Sequence, residues 1–360
     1  MKHILYVAGL LLFMTGCASG DKANPDRLDK SIMDVEKTFR ADTLKGLDSL
    51  IYAKEFFVYR DSILIVLNNR NENAHFLEFC RLSDMQPITR LYRLGNGPDE
   101  LLNANVDFNR NTLIVNDFIK SQVAVVDIDS LLADPTYSAP PVRHQAEDSP
   151  TAIPYKGKFL LENPYSFVDE NAGIIQEAPR FIITDGKSPY EEKNSYQYYT
   201  RNVAVDGRII ANEAKDRIVY ANMTKSSVEI YDMDLNLLRT ITGPIDLPTK
   251  YVIHNEEGGM ENEVIFKTNI PYAYLDYCTD DDYFYLTYVG DMLGSGKKTL
   301  DMHCRIFKFD WDGNFIDSYP VHNYVRSISK SQKEDAFYVT ILSEEGMPVL
   351  IKLYANGAAI

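Results

Sequence analysis
Gly95–Asp127, GNGPDELLNANVDFNRNTLIVNDFIKSQVAVVD, decides how this chain folds. Gly95-Asn96-Gly97-Pro98 is turn chemistry, because glycine accepts positive φ and proline presets φ near −65°. Val106-Asp107-Phe108 alternates inward and outward, and Asn109-Arg110-Asn111 turns the chain. Leu113-Ile114-Val115 is a short apolar run closed by Asn116-Asp117, the pattern of a strand covered on both faces. Ile119-Lys120-Ser121-Gln122 turns again, and the β-branched run Val123–Val126 leads back. The stretch is therefore a meander of three strands. One meander cannot bury both of its faces, so copies must stack around an axis.

Weaker copies occupy the chain from about residue 55 to the C-terminus. Second strands centre on Ile65, Val115, Leu160, Val219, Tyr285 and Tyr338, recurring about every 55 residues. This predicts an all-β chain folded as a six-bladed β-propeller, with seven blades if residues 243–272 hide one. The sixth copy, built from Tyr324–Ser329, Ala336–Leu342 and Val349–Tyr354, lacks a fourth strand. A segment between Val35 and Ala53 is the expected donor, closing the ring and covering an edge that would otherwise recruit other chains. Pro25–Arg40 reads equally as a short helix or a first strand. Excess length falls in loops: 133–150, the tyrosine-rich 187–200, 243–272 and 290–300.

The opening stretch resembles the NHL-type and TolB-like six-bladed propeller families. The residues that carry the resemblance are Gly95, Gly97, Pro98 and Glu100, then Val106-Asp107, Leu113–Asp117 and Gln122–Asp127. Asp99 departs from the NHL pattern, which has glycine there. The resemblance implies a six-bladed ring and, through the TolB-like families, work done by protein contacts. Fold alone does not specify activity.

The N-terminus reads as an address. Lys2 and His3 precede an apolar run, Ile4–Met14, too short to span a bilayer, and Thr15-Gly16-Cys17 follows. Small residues directly before a cysteine resemble the bacterial lipobox, which implies cleavage after residue 16 and lipidation of Cys17. The expected organisation is a lipoprotein signal peptide over 1–16, a lipid-anchor tether over 17–30 and a single propeller over 31–360. The expected location is the bacterial cell envelope, held by lipid at a membrane, with the outer membrane favoured by the resemblance and the face left open. A plain secretory signal with a chance cysteine is the alternative.

The formal net charge is −15, and removing residues 1–16 takes one lysine with it, leaving −16. This argues against nucleic acid and against an electrostatic grip on anionic lipid. Cys80, Cys278 and Cys304 show no zinc spacing. Cys278 and Cys304 could pair across strands of one blade, or all three stay as buried thiols.

No nucleophile elbow, zincin motif, P-loop or dinucleotide fingerprint is present, and no cofactor or metal is expected. His75, His144, His254, His303 and His322 are scattered over different copies. Asp310, Asp312, Gly313 and Asn314 resemble the start of a calcium loop, yet strands flank them and a hairpin turn accounts for them. Asp280-Asp281-Asp282 likewise reads as a turn. Tyr190, Tyr196, Tyr198 and Tyr199 are the ligand-binding candidates, since tyrosine rings offer flat amphipathic contact at low entropic cost; packing of Tyr198 and Tyr199 in a strand is the competing reading. The function expected is a lipid-anchored binding module for an envelope protein, a peptide or a glycan. A lyase or hydrolase with an axial site is the alternative, marked by arginine, histidine and carboxylate meeting on the axis.

Overall fold
The computed structural model describes residues 26–37, 39–44, 53–68, 75–97, 100–134, 136–143, 149–169, 174–177, 179–184, 199–202, 206–247, 251–255, 262–266, 269–294 and 298–355. Six sheets follow one another along the chain as the blades of a ring. Their inner strands are Ala53–Tyr59, Ala104–Asn109, Ala152–Tyr155, Gly207–Asn212, Ile270–Thr279 and Val325–Lys330. The opening stretch of the sequence forms blade 2, with Ala104–Asn109 against Thr112–Asp117 and that strand against Gln122–Asp127, antiparallel throughout. Val142–Arg143 adds a short fourth strand.

Neighbouring blades share apolar clusters instead of ladders. Phe57, Ile65 and Phe79 of blade 1 pack with Leu113, Val115 and Val126 of blade 2, and the Phe57 and Phe108 rings lie 5.8 Å apart. Tyr285 of blade 5 meets Phe337 of blade 6 edge to face at 5.1 Å. Between blades 3 and 4, the Tyr220 hydroxyl donates to Glu162 Oε1 at 2.5 Å. Gly207 lets the Tyr220 ring approach: a Cβ there would stand 2.4 Å from the ring and 2.7 Å from the Ala221 carbonyl oxygen.

Blade 6 is completed as expected. Arg40–Thr43 lies antiparallel to the C-terminal strand Pro348–Tyr354, pairing with residues Ile351 to Tyr354. No ladder runs from blade 6 to blade 1, however, so hydrogen-bonded pairing does not itself close the ring. The seam is sealed by side chains: Ser329 Oγ accepts from Val58 N–H at 3.1 Å, and Ser327 Oγ donates to the Phe56 carbonyl at 2.8 Å.

The N-terminal segment does more than donate a strand. Leu28 N–H donates to the Thr242 carbonyl and Thr242 N–H to that of Asp26, each at 2.8 Å, along the outer strand of blade 4. A 3₁₀ turn at Lys30–Met33 follows. The Met33 and Val35 carbonyls then accept from the Arg305 guanidinium of blade 5, and Lys37 pairs with Asp317. Residues 26–43 thus form a strap across the outer rims of blades 4, 5 and 6.

Residues 243–272 do not form a seventh blade. Tyr251–Asn255 and Asn262–Phe266 join Tyr165–Asp169, Ile174–Glu177 and Tyr199–Asn202 in a separate five-stranded sheet, in which Tyr199–Asn202 pairs parallel with Asn262–Phe266. Two insertions too short to make a blade pair with each other. The cysteine pairing is also not realised. Cys278 and Cys304 are buried free thiols, as is Cys80, because Tyr283–Leu293 separates the strands that carry Cys278 and Cys304.

Deleting residues 26–43 from an unlipidated chain is expected to cost more than about 2 kcal/mol, since ladder bonds contribute about 1 kcal/mol each and the strap also covers blade edges. Denaturant unfolding with sedimentation checks this; an unchanged, monomeric transition would contradict the role of the strap. Gly207→Ala, which forces the Tyr220 contact apart, is expected to destabilise by about 1–3 kcal/mol, read by the shift in thermal midpoint.

Candidate functional site
Inner strands of a ring bring residues distant in sequence to one axis. Here the axis carries charge. Arg208 of blade 4 is buried within electrostatic reach of Asp107 of blade 2, Asp276 of blade 5 and Glu55 of blade 1. Arg208 Nη1 stands 3.8 Å from Asp107 Oδ1, and its Nε donates to the Leu275 carbonyl at 3.0 Å. Asp276 Oδ2 accepts from Ile328 N–H of blade 6 at 2.9 Å. Glu55 is also within 3.6 Å of Lys54 Nζ. Asp107 is 1% exposed, and neither of its carboxylate oxygens is hydrogen-bonded among the described residues; the same holds for the buried Tyr277 hydroxyl.

Burial dominates the titration of this group. It pushes Asp107 up to about 6, opposed by Arg208 and reinforced by Glu55. It pushes Asp276 up to about 8, with the same two neighbours acting in the same senses. Charged forms are costly away from water, so one guanidinium opposite two buried carboxyls leaves one of them protonated near neutrality.

One layer further along the inner strands, hydrogen bonds tie three blades together. Thr279 Oγ1 donates to Asn109 Oδ1 at 2.8 Å, and Asn109 Nδ2 donates to the Ala211 carbonyl at 3.3 Å, so blades 2, 4 and 5 meet there. Beyond this layer lies a pocket of about 730 Å³ at the end of the ring, lined by the first turns of blades 1, 2, 5 and 6. Its walls include Tyr59, Tyr283 and Tyr285. Five Lys and Arg line it against four Asp and Glu, in a chain where acidic residues outnumber basic ones by 52 to 37. Most of these charges are held in place. Arg60 pairs with Asp129 at 2.8 Å, Arg110 with Asp281 at 3.4 Å and Lys330 with Asp335 at 3.1 Å. Asp280 accepts from the Tyr285 hydroxyl at 2.7 Å and from Tyr283 N–H at 2.8 Å. Lys308 differs: its Nζ sits 3.6 Å above the Tyr283 ring, a cation–π contact, and no carboxylate pairs with it among the described residues.

With the ring, its six sheets and its axis in view, a family model for TolB-like 6-blade propeller-like proteins matches residues 56–333. The chain belongs to the TolB-like six-bladed propeller family. No curated protein matches it. Among solved structures it is similar to a DUF4221-family protein from Bacteroides vulgatus, at 10% identity and a TM-score of 0.45, covering 89% of this chain and 96% of that one. It is similar also to a protein of Bacteroides fragilis described as exported, at 10% identity and 0.47, covering 89% and 95%. A luciferin-regenerating enzyme shares 10% identity at 0.43, covering 89% and 96%. Identities this low bear on fold alone.

The candidates read from sequence fare unevenly. Cys17, Tyr190, Tyr196 and Tyr198 lie outside the described residues, as does His144. Tyr199 opens the strand Tyr199–Asn202, where it pairs with Phe167 in the five-stranded sheet. His303 and His322 meet edge to face at 6.1 Å on blade 5, away from the charged axis. Asp310 closes a hairpin turn, accepting from Asp312 N–H and Asn314 N–H; Asp232 does the same for Asp234 and Asn236 in blade 4. Asp280–Asp282 is a turn as well, and Asp280 and Asp281 line the pocket. Sequence reasoning did not single out Arg208 or Asp276, and it read Asp107 only as part of an alternating strand that carries the family resemblance. The signal was present: each is a lone charge in an otherwise apolar inner strand, RIIAN, AYLDYC and VDF.

Both axial carboxyls bind protons more tightly folded than unfolded. Between about pH 4 and pH 8 the folded state therefore holds the extra protons, and stability falls as pH rises through that window. A loss on the order of 3 kcal/mol is expected from pH 5 to pH 8, with Asp276→Asn flattening the profile. Unfolding curves across that range check it.

Proposed function
We propose that this propeller is a lipid-anchored binding module of the bacterial envelope, which holds a protein, peptide or glycan partner in the pocket at the end of its ring. The observation that carries this reading is the pocket itself. It has the volume of a ligand site, tyrosine walls and fixed charges of both signs, and it lies on the end of a rigid ring. Membership of a family of propellers suits an interaction role, since the ring presents loops from several blades on one surface.

The anchor in this reading is Cys17, after removal of residues 1–16. The strap begins by Asp26, nine positions after Cys17, so the link spans at most about 30 Å. Lipidation would hold the rim of blades 4 to 6 close to the membrane. The outer membrane is the membrane proposed.

An axial lyase or hydrolase is the second reading, and the Asp107–Arg208–Asp276 group is what favours it. Carboxyls poised near neutrality suit proton transfer. None of Asp107, Arg208 and Asp276 lines the pocket, and no histidine joins them among the described residues. Binding is therefore the better-supported reading.

Capture from detergent-solubilised envelopes tests it, comparing the wild-type chain with Tyr283→Ala/Lys308→Glu. A partner retained by the wild type and lost by the pocket variant is expected. Equal capture by a folded pocket variant would end this reading of the pocket. Cys17→Ser is expected to move the protein from the membrane to the soluble fraction.

A further inference from the structure
We infer that the end pocket takes a saccharide carrying an anionic group, a carboxylate above all, which is met by Lys308. This rests on the binding-module reading and names the ligand class for the same pocket.

The argument starts from Lys308. It lies on Cys304–Asp310, opposite Tyr285 in the neighbouring strand. Its Nζ is 3.6 Å from the Tyr283 ring centroid and 5.8 Å from that of Tyr285. Two rings therefore fix the ammonium where it faces the pocket, and the described residues supply no carboxylate to neutralise it. Lys330 lies close by, 6.0 Å from the same Tyr285 ring and 5.0 Å from Phe337. Lys333 is exposed on the turn that follows. An acidic chain has thus gathered three lysines along one wall, and Lys308 is held there without an ionic partner among the described residues. A cation pre-placed and part-desolvated in this way pairs strongly with an incoming anion, because little reorganisation remains to be done.

The rest of the lining selects the kind of anion. Asp280, Asp281, Glu334 and Asp335 share the pocket. Four carboxylates would repel a run of acidic side chains, yet they accept hydrogen bonds from hydroxyl groups readily. Ser331 and Gln332 add neutral polar groups, and the tyrosines add apolar area with hydroxyl tips. Many hydroxyls together with one negative group describe an acidic sugar better than an acidic peptide.

A panel of short uronate oligosaccharides and their neutral counterparts, with hexaglutamate as the peptide control, tests this by calorimetry on the full mature chain. The uronates are expected to bind at least about tenfold more tightly than the neutral sugars at low ionic strength, with the gap closing as salt is added. Lys308→Met keeps the stem over the rings and removes the charge. It should shrink the gap to about twofold while leaving the thermal midpoint unchanged. Equal affinity for uronates and neutral sugars overturns the inference, as does preference for hexaglutamate. Failure of every saccharide to bind overturns it too. If envelope capture still depends on Tyr283 and Lys308 in that case, the binding module survives and only the ligand class falls. If capture is also independent of them, both fall.

Discussion
Among the described residues no backbone ladder joins one blade of this ring to the next, so everything depends on side chains packed between sheets. Every interface is filled by a buried cluster, such as Phe57 with Val115 between blades 1 and 2 or Ile230 with Phe309 between blades 4 and 5, and one cluster serves both sides of blade 3. Apolar contact is non-directional and would let sheets slide or fan. Direction comes from a few polar contacts: Tyr220 to Glu162, Ser327 and Ser329 to the first blade, and the guanidinium of Arg208 within reach of carboxyls of other blades. Such groups are expensive to bury and specify one arrangement, because any other leaves them without partners.

The charged axis and the end pocket follow from this plan. Inner strands converge, so a lone charge on any of them must find its counterpart on another blade. Asp107 and Asp276 find Arg208, and the price is two carboxyls displaced towards neutrality. Asn109, Thr279 and Ala211 then tie blades 2, 4 and 5 together with ordinary hydrogen bonds. The pocket lies at the end of the ring, where turns replace strands and longer polar side chains have room. It is therefore a surface for recognition held on a stiff base.

The strap and the five-stranded sheet show how the chain treats its loose ends and insertions. Residues 26–43 cover the outer rims of three blades and complete the last one, so an edge strand is not left open. Two insertions from separate places pair with one another for the same reason. Neither Tyr165–Asp169 nor Asn262–Phe266 has enough neighbours of its own to form a sheet.

Short β-branched runs, turn residues at regular intervals and a repeated meander were enough to establish from sequence six radially packed sheets, because hydrophobic alternation and turn chemistry are local. Even the completing strand was legible, as a sixth copy short of one member. The joining of residues 243–272 to the blade-3 insertions was not, since pairing between remote segments leaves no local mark. The same holds for function. The Gly95–Asp127 stretch contains Asp107, but nothing near it in sequence shows that Arg208, a hundred residues on, is its counterpart. Lys308 reads as one lysine among many until the fold sets it over Tyr283. Local periodicity by itself determined the sheets, their number and their order; only tertiary structure decided which charges face one another, because a ring brings its distant residues together through space and not along the chain.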